Sequence, residues 1–249
     1  MIESNDFKHL VTHCDYNYLP RALVLLDSIA RTSKSYSVVF VCHDDLTFTK
    51  MQSESLNNIH LVKLSEVELY FPQLIARKMK ITHLEYMFLI TPFIVKFCLE
   101  KLGLPSVAYV DSDICFFSSI DPIFKEINNS DVGITSHNFL MELTHLSING
   151  TYNVGIVFFR NTKKGLLTVS WWADRCMEST SIHSNSSEIF GDQKYLDSFS
   201  SIYPETHVYQ NFGINAAPWN CADVSLDTAG KVFSNGHELV CFHFSALNP

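Results

Sequence analysis

A chain of 249 residues suffices for one large α/β domain or two closely fused lobes, and a composition 47% hydrophobic, 13% aromatic and 18% charged excludes a disordered chain. The formal charge of −8, with no cluster of Lys or Arg, argues against a nucleic-acid protein. It also leaves any anionic ligand dependent on a cation or on backbone amides.

In chain order, "FKHLVTHC" predicts a strand and "YLPRALVLLDSIART" an amphipathic helix. "YSVVFVCHDD" predicts a second strand, "TFTKMQSESLN" a polar helix and "IHLVKL" a third strand. In "TPFIVKFCLEKLG", Thr91 can cap a helix, Pro92 suits its first turn and Gly103 closes it. "SVAYVDSD" follows with almost no polar alternation, as expected of a central strand covered on both faces. Strands alternating with helices predict an α/β fold with a mostly parallel, doubly wound sheet flanked by helices.

The second half is less regular. "DVGITSH", "TYNVGIVFFRN" and "ELVCFHFS" predict strands and "KKGLLTVSWWADRCMES" a helix. Long polar segments, 138 to 150 and 180 to 192, suit the walls of a site. A soft boundary falls near residue 130, giving a nucleotide-sugar-binding lobe, 1–130, and a smaller acceptor-side, catalytic lobe, 131–249, of one continuous domain.

The N-terminus lacks the basic start and apolar core of a signal peptide, and the apolar run from Tyr86 to Val95 is too short to span a bilayer. Seven cysteines without C-x-x-C spacing read as reduced core thiols. The expected setting is the cytoplasm. Peripheral docking at the inner face of a membrane is compatible with it.

Within "SVAYVDSDICFF", Asp111 and Asp113 stand at the end of an apolar strand, where open α/β sheets bind their ligands. Two carboxylates about 4 Å apart repel by about 4 kcal/mol at an effective dielectric of about 20. A divalent cation or a proton between them relieves that cost, and oxygen ligands suit magnesium or manganese beside a substrate phosphate. Asp-Ser-Asp is equally good turn chemistry, so both readings stand on these residues alone.

"YVDSDICFF" resembles the metal-binding D-x-D strand of GT-A-fold glycosyltransferases, especially the family 8-like bacterial group that uses nucleotide sugars to build surface glycans. "VTHCDYNYLPRALVLLDSI" resembles that group's first strand, base-binding loop and helix, and "EYMFLITPF" its E-Y-x-x-T-x-T-P segment. "GTYNVGIVFFRN" resembles its N-x-G strand, "FGDQKYLD" its D-Q motif, and "GINAAPWN" and "CFHFS" complete the order. The resemblance implies that Asp15, Asn17 and Tyr18 hold the nucleotide base, with Tyr18 stacking on it, and that Asp111 and Ser112 lie on the nucleotide side. It implies Asp111, Asp113 and His243 as ligands of Mn2+ or Mg2+ bridging the diphosphate. Asn153 would meet donor sugar or acceptor, and Asp192 and Gln193 would face the anomeric carbon. His137, Trp219 and Asn220 are weaker candidates for the sugar and acceptor side.

The implied reaction moves a sugar from a nucleoside-diphosphate sugar, UDP-sugar favoured, to a glycan or lipid-linked glycan, with similarity leaning towards retention. Each position has a plainer alternative. His243 suits a hydrogen-bonded core histidine, Tyr18 a packing staple, Asn153 a strand-edge partner and Asp192 a helix cap. Family 8 enzymes follow their histidine with glycine and then lysine. Here Ala246 replaces the glycine and no lysine precedes Pro249. That departure keeps open a non-catalytic binding protein or partner subunit with a vestigial metal site. A sugar nucleotidyltransferase is disfavoured, because "HCDYNYLPRAL" has no glycine where that class cradles triphosphate.

Overall fold

The structure is a computed structural model that describes residues 7–54, 56–183 and 188–245. The first half runs β1 (Lys8–Cys14), α1 (Leu19–Thr32), β2 (Tyr36–Cys42), α2 (Asp45–Glu54), β3 (Ile59–Lys63), α3 (Leu64–Tyr70), α4 (Gln73–Lys78), α5 (His83–Glu100), β4 (Ser106–Val110), β5 (Ile114–Phe116) and α6 (Asp121–Glu126). The second runs β6 (Val132–Ser136), a 3-10 segment (Met141–Asn149), β7 (Tyr152–Arg160), α7 (Lys163–Glu178), a second 3-10 segment (Lys194–Ser198), α8 (Phe199–Ile202), β8 (His207–Val208), β9 (Val224–Leu226), β10 (Val232–Ser234), β11 (His237–Glu238) and β12 (Cys241–His243).

The seven-stranded sheet has the order β3-β2-β1-β4-β7-β6-β8. All its pairings are parallel except the two made by β7, so the mostly parallel sheet expected from the sequence is present with one reversed strand inside it. Strand alternation sorts the core into two layers. Val11, Val39, Val41, Val107 and Tyr109 face α3, α4, α5 and α7, while Leu10, Val38, Phe40, Ala108 and Val110 face α1, α2 and α6. Helices therefore cover both faces, which is why the central strands carry so little polar alternation. All seven cysteines are unpaired. No helix among the described residues is long and apolar enough to cross a membrane.

Two expected elements differ. The strand expected over "SVAYVDSD" stops at Val110: the chain turns at 111–113, and β5 leaves the large sheet to pair with β12. The helix expected to begin at Thr91 begins a full two turns earlier. Thr82 accepts from the Glu85 backbone N–H while the Glu85 carboxylate accepts from the Thr82 N–H, a reciprocal cap that outweighs the signal of Pro92 inside the helix.

Candidate functional site

The ends of β1, β2 and β4 open into a cavity of about 450 Å³, closed on the far side by α5, β7, the turn at Asp192 and the chain after β12. Its polar floor is the turn that follows β4. The Asp111 N–H donates to the Gly155 carbonyl of β7 at 3.0 Å, and the Ile114 N–H closes the turn on the Asp111 carbonyl at 3.2 Å. β12 lies antiparallel to β5 with His243 opposite Ile114. The His243 N–H donates to the Ala216 carbonyl at 2.7 Å, and the Phe244 N–H donates to the Asp113 carbonyl at 3.0 Å. Residues far apart in sequence are thus fixed by backbone bonds before any side chain is considered.

The side chains of Asp111, Asp113 and His243 converge there. His243 Nε2 lies 3.5 Å from Asp111 Oδ2 and 3.1 Å from Asp113 Oδ1, and one donor atom from each residue falls within 4.8 Å of the others. Burial pushes the Asp111 carboxyl above its ordinary range; His243 opposes that shift and Asp113 adds to it. Burial also opposes charge on Asp113, but the hydrogen bond and charge of His243 hold it below the usual value. His243 is raised, its two carboxylate neighbours overcoming the effect of burial. A proton on His243 therefore balances the pair in the metal-free chain. Two carboxylates and one imidazole also fit a divalent cation, because the imidazole nitrogen facing both carboxylates is Nε2.

Asp192 also lines the cavity and is buried; burial and then the charge of Asp111 hold its carboxyl well above the usual range. Its carbonyl accepts from Trp172 Nε1 at 2.8 Å, which anchors the turn. Ser112 and Asn153 are buried in the cavity wall. Asn153 Oδ1 accepts from the Gly155 N–H at 2.8 Å and from Asn215 Nδ2 at 2.9 Å. Asp15 faces the cavity, accepting from the Tyr18 N–H at 3.0 Å and lying 3.5 Å from His83 Nε2. The Tyr18 ring is covered by the Arg21 guanidinium at 4.5 Å, and its hydroxyl reaches Asp113 in a long contact of 3.5 Å.

The other sequence candidates lie outside this wall. Asn17 is exposed in the turn after β1, and Gln193 donates to the Asn149 carbonyl at 3.1 Å. His137, Trp219 and His243 instead form a ladder behind the carboxylates. The rings of His137 and Trp219 meet edge-on at 5.4 Å, as do those of Trp219 and His243 at 5.3 Å. Burial lowers His137 to about 4, so that ring is neutral. Asn220 is a loop staple: its Oδ1 accepts from the Ala217 N–H and its Nδ2 donates to the His137 carbonyl. Ala246 and Pro249 lie outside the described residues.

Among the polar cavity residues that the sequence reading did not assign to the site are His13, His43, Thr91, read there only as a helix cap, and Tyr109. A signal existed for two of them. "VTHCD" and "VCHDD" each place a histidine beside a cysteine at the end of a strand, and β1 and β2 pair in parallel with Cys14 opposite Cys42.

Comparison with known proteins agrees with this geometry. The profile of nucleotide-diphospho-sugar transferases matches residues 33–201, more than half of the chain, and includes Asp111, Asp113 and Asp192 but not His243. Two relatives from Bacillus subtilis (strain 168) are the uncharacterized protein YfnD, 24% identical over 96% of this chain and 78% of its own, and the uncharacterized protein YfnF, 26% identical over 91% and 77%. Among solved structures, mouse xyloside xylosyltransferase 1 superposes with a TM-score of 0.65 at 13% identity, over 97% of this chain and 99% of its own. The galactosyltransferase LgtC, solved with donor and acceptor sugar analogs, also reaches 0.65, at 14% identity over 96% and 87%. With the D-x-D turn at the cavity floor and the sheet order above, the chain belongs to the nucleotide-diphospho-sugar transferase family and is a glycosyltransferase of the GT-A fold.

Proposed function

We propose that this enzyme transfers a sugar from a nucleoside-diphosphate sugar, with a UDP-sugar as the favoured donor, to a hydroxyl of a glycan or lipid-linked glycan, with retention of configuration. The convergence of Asp111, Asp113 and His243 at the floor of the cavity carries this reading. Those three residues would hold Mn2+ or Mg2+. When bound, the cation supplies Lewis-acid stabilisation of a leaving diphosphate.

The remaining roles follow from placement. Asp15, at the end of β1, suits the nucleotide side of the cavity, with Asn17 and Tyr18 at its rim and Ser112 beside Asp111. Asn153 and Asp192 line the same cavity; Asn153 suits the donor sugar or the acceptor, Asp192 with Gln193 suits the anomeric carbon, and His137, Trp219 and Asn220 suit the sugar and acceptor side. Residues 1–130 then form the donor lobe and 131–249 the acceptor-facing lobe. An inverting transfer needs an ionised base at the acceptor. The resemblance of the D-x-D, N-x-G and D-Q segments to the family 8-like group supports retention, with Asp192 or Gln193 beside the anomeric carbon. Seven unpaired cysteines support a reducing, cytoplasmic setting, with any lipid-linked acceptor met by peripheral docking.

The test is release of nucleoside diphosphate from a panel of sugar nucleotides, with Mn2+ and with chelator. One donor should be hydrolysed slowly without acceptor, in a metal-dependent way. Asp113→Asn should reduce that release by at least about 100-fold, the scale on which ligand loss impairs such sites, while leaving the circular dichroism spectrum unchanged. Undiminished, metal-dependent release by the variant would remove Asp113 from the site.

A further inference from the structure

Asp111, His13 and His43 stand at the carboxyl ends of three neighbouring strands, β4, β1 and β2, and a line of hydrogen bonds joins them across the sheet. Tyr109 and Asp111 are two residues apart and share the face turned to α5. The Tyr109 hydroxyl donates to Asp111 Oδ1 at 2.6 Å, which leaves Oδ2 as the oxygen facing His243. A phenol has one proton, so with it committed to Asp111 the Tyr109 oxygen can only accept. His13 Nε2, at 3.3 Å, is therefore the donor. Thr91 agrees: its hydroxyl donates to the Met87 carbonyl at 3.2 Å, so its oxygen accepts from the same His13 nitrogen at 3.2 Å. His13 Nδ1 is then bare and accepts from His43 Nε2 at 2.9 Å. Burial keeps both rings uncharged, as this arrangement requires.

We propose that Tyr109 and His13, backed by His43, are positioning residues that hold the Asp111 carboxylate with Oδ1 occupied and Oδ2 presented to a divalent cation shared with Asp113 and His243. Their role presupposes the cation site proposed above. Three hydrogen bonds are donated in one direction towards the carboxylate, each polarising the next, and the last is short because its acceptor is ionised. A row that served packing alone would not depend on which nitrogen of His13 carries the hydrogen. This one does, because reversing either ring places two donors or two acceptors face to face.

The test is titration of the full-length chain with Mn2+ alone, followed by electron paramagnetic resonance, for the unaltered protein, Tyr109→Phe, His13→Met and His13→Gln. Tyr109→Phe should weaken Mn2+ binding about 10- to 100-fold, the usual cost of losing a partner behind a metal ligand. His13→Met should weaken it as well. His13→Gln should recover most of that loss, because the Gln amide can donate from near the position of Nε2. Ring 15N shifts, which need no metal, should show His13 protonated at Nε2 and bare at Nδ1. Wild-type affinity in Tyr109→Phe would overturn the positioning role while leaving the cation site standing. Equal loss in both His13 variants, or a proton on Nδ1, would overturn it for His13 even if Tyr109→Phe fails to fold. No Mn2+ binding by the unaltered protein would overturn the cation site itself, and the positioning role with it.

Discussion

Gly155 is the position at which the least added volume would do the most damage. A Cβ there would stand 2.5 Å from Asn153 Oδ1, 2.6 Å from His243 Nδ1 and 2.7 Å from Asn215 Oδ1, closer than real Cβ contacts come. Each of those atoms belongs to a buried side chain, so none can swing into solvent. Gly155→Ala should therefore destabilise the fold by about 1–3 kcal/mol in urea, as overpacking does, and should weaken Mn2+ binding by displacing His243. A stable variant with native Mn2+ affinity would show that the wall behind His243 is soft. The "N-x-G" spelling was legible in "TYNVG", but the reason for its glycine was not. The side chains that crowd it come from residues 153, 215 and 243 and meet only in three dimensions. Asp111 and Asp113 were legible because two acids in an apolar run conflict with burial, and such a conflict marks a site. His13, His43 and Tyr109 raise no such conflict, since each suits a strand on its own.

At the scale of elements, α5 shows how a strong local signal can mislead. Pro92 cannot donate to the carbonyl one turn back, so the sequence places it in a first turn. The helix nevertheless starts at His83, because Thr82 and Glu85 cap it reciprocally and because its buried residues from Tyr86 to Leu99 need a continuous helix to cover the sheet. The early start matters for function, since it carries Thr91 to mid-helix, where it meets His13. Thr82→Ala removes the hydroxyl that accepts from the Glu85 N–H, leaving the Thr82 N–H still donating to the Glu85 carboxylate, and should cost about 1 kcal/mol of stability, read as a lower denaturation midpoint with an unchanged slope. No change would mean that packing alone sets the start of α5. The split of "SVAYVDSDICFF" into β4 and β5 has a similar cause. Its residues place the aspartates at the end of a strand, but the course of the chain after them is set by the pairing of β5 with β12, more than a hundred residues later.

For the molecule as a whole, the acidic balance and the buried acids at the floor of the cavity make stability depend on pH and on metal together. In the metal-free chain Asp111, Asp192 and His243 all hold protons more tightly than the unfolded chain does. For the two carboxyls, the stability this lends is complete below the ordinary value of 3.8 and is lost as pH rises through their folded values. For His243 it is complete below 6.5 and is lost above that. Asp113 runs the other way, contributing above 3.8 and losing that contribution as pH falls through its lowered value. His9, His13, His43 and His137, whose pKa values burial lowers, contribute in the opposite sense, adding stability as pH rises through 6.5, so the contribution lost between about pH 6 and about pH 7.5 is that of His243. Bound cation changes the sign, because its ligands must be deprotonated and its affinity rises as the proton on His243 becomes easier to displace. At a Mn2+ concentration about 100 times its dissociation constant the gain is about 2.7 kcal/mol, which for a chain of this size raises the melting temperature by about 5–10 °C. At one fixed Mn2+ concentration the rise should be larger at about pH 7.5 than at about pH 6, and chelator should abolish it. An equal rise at both pH values would mean that the cation binds without displacing a proton, and His243 would then not be among its ligands.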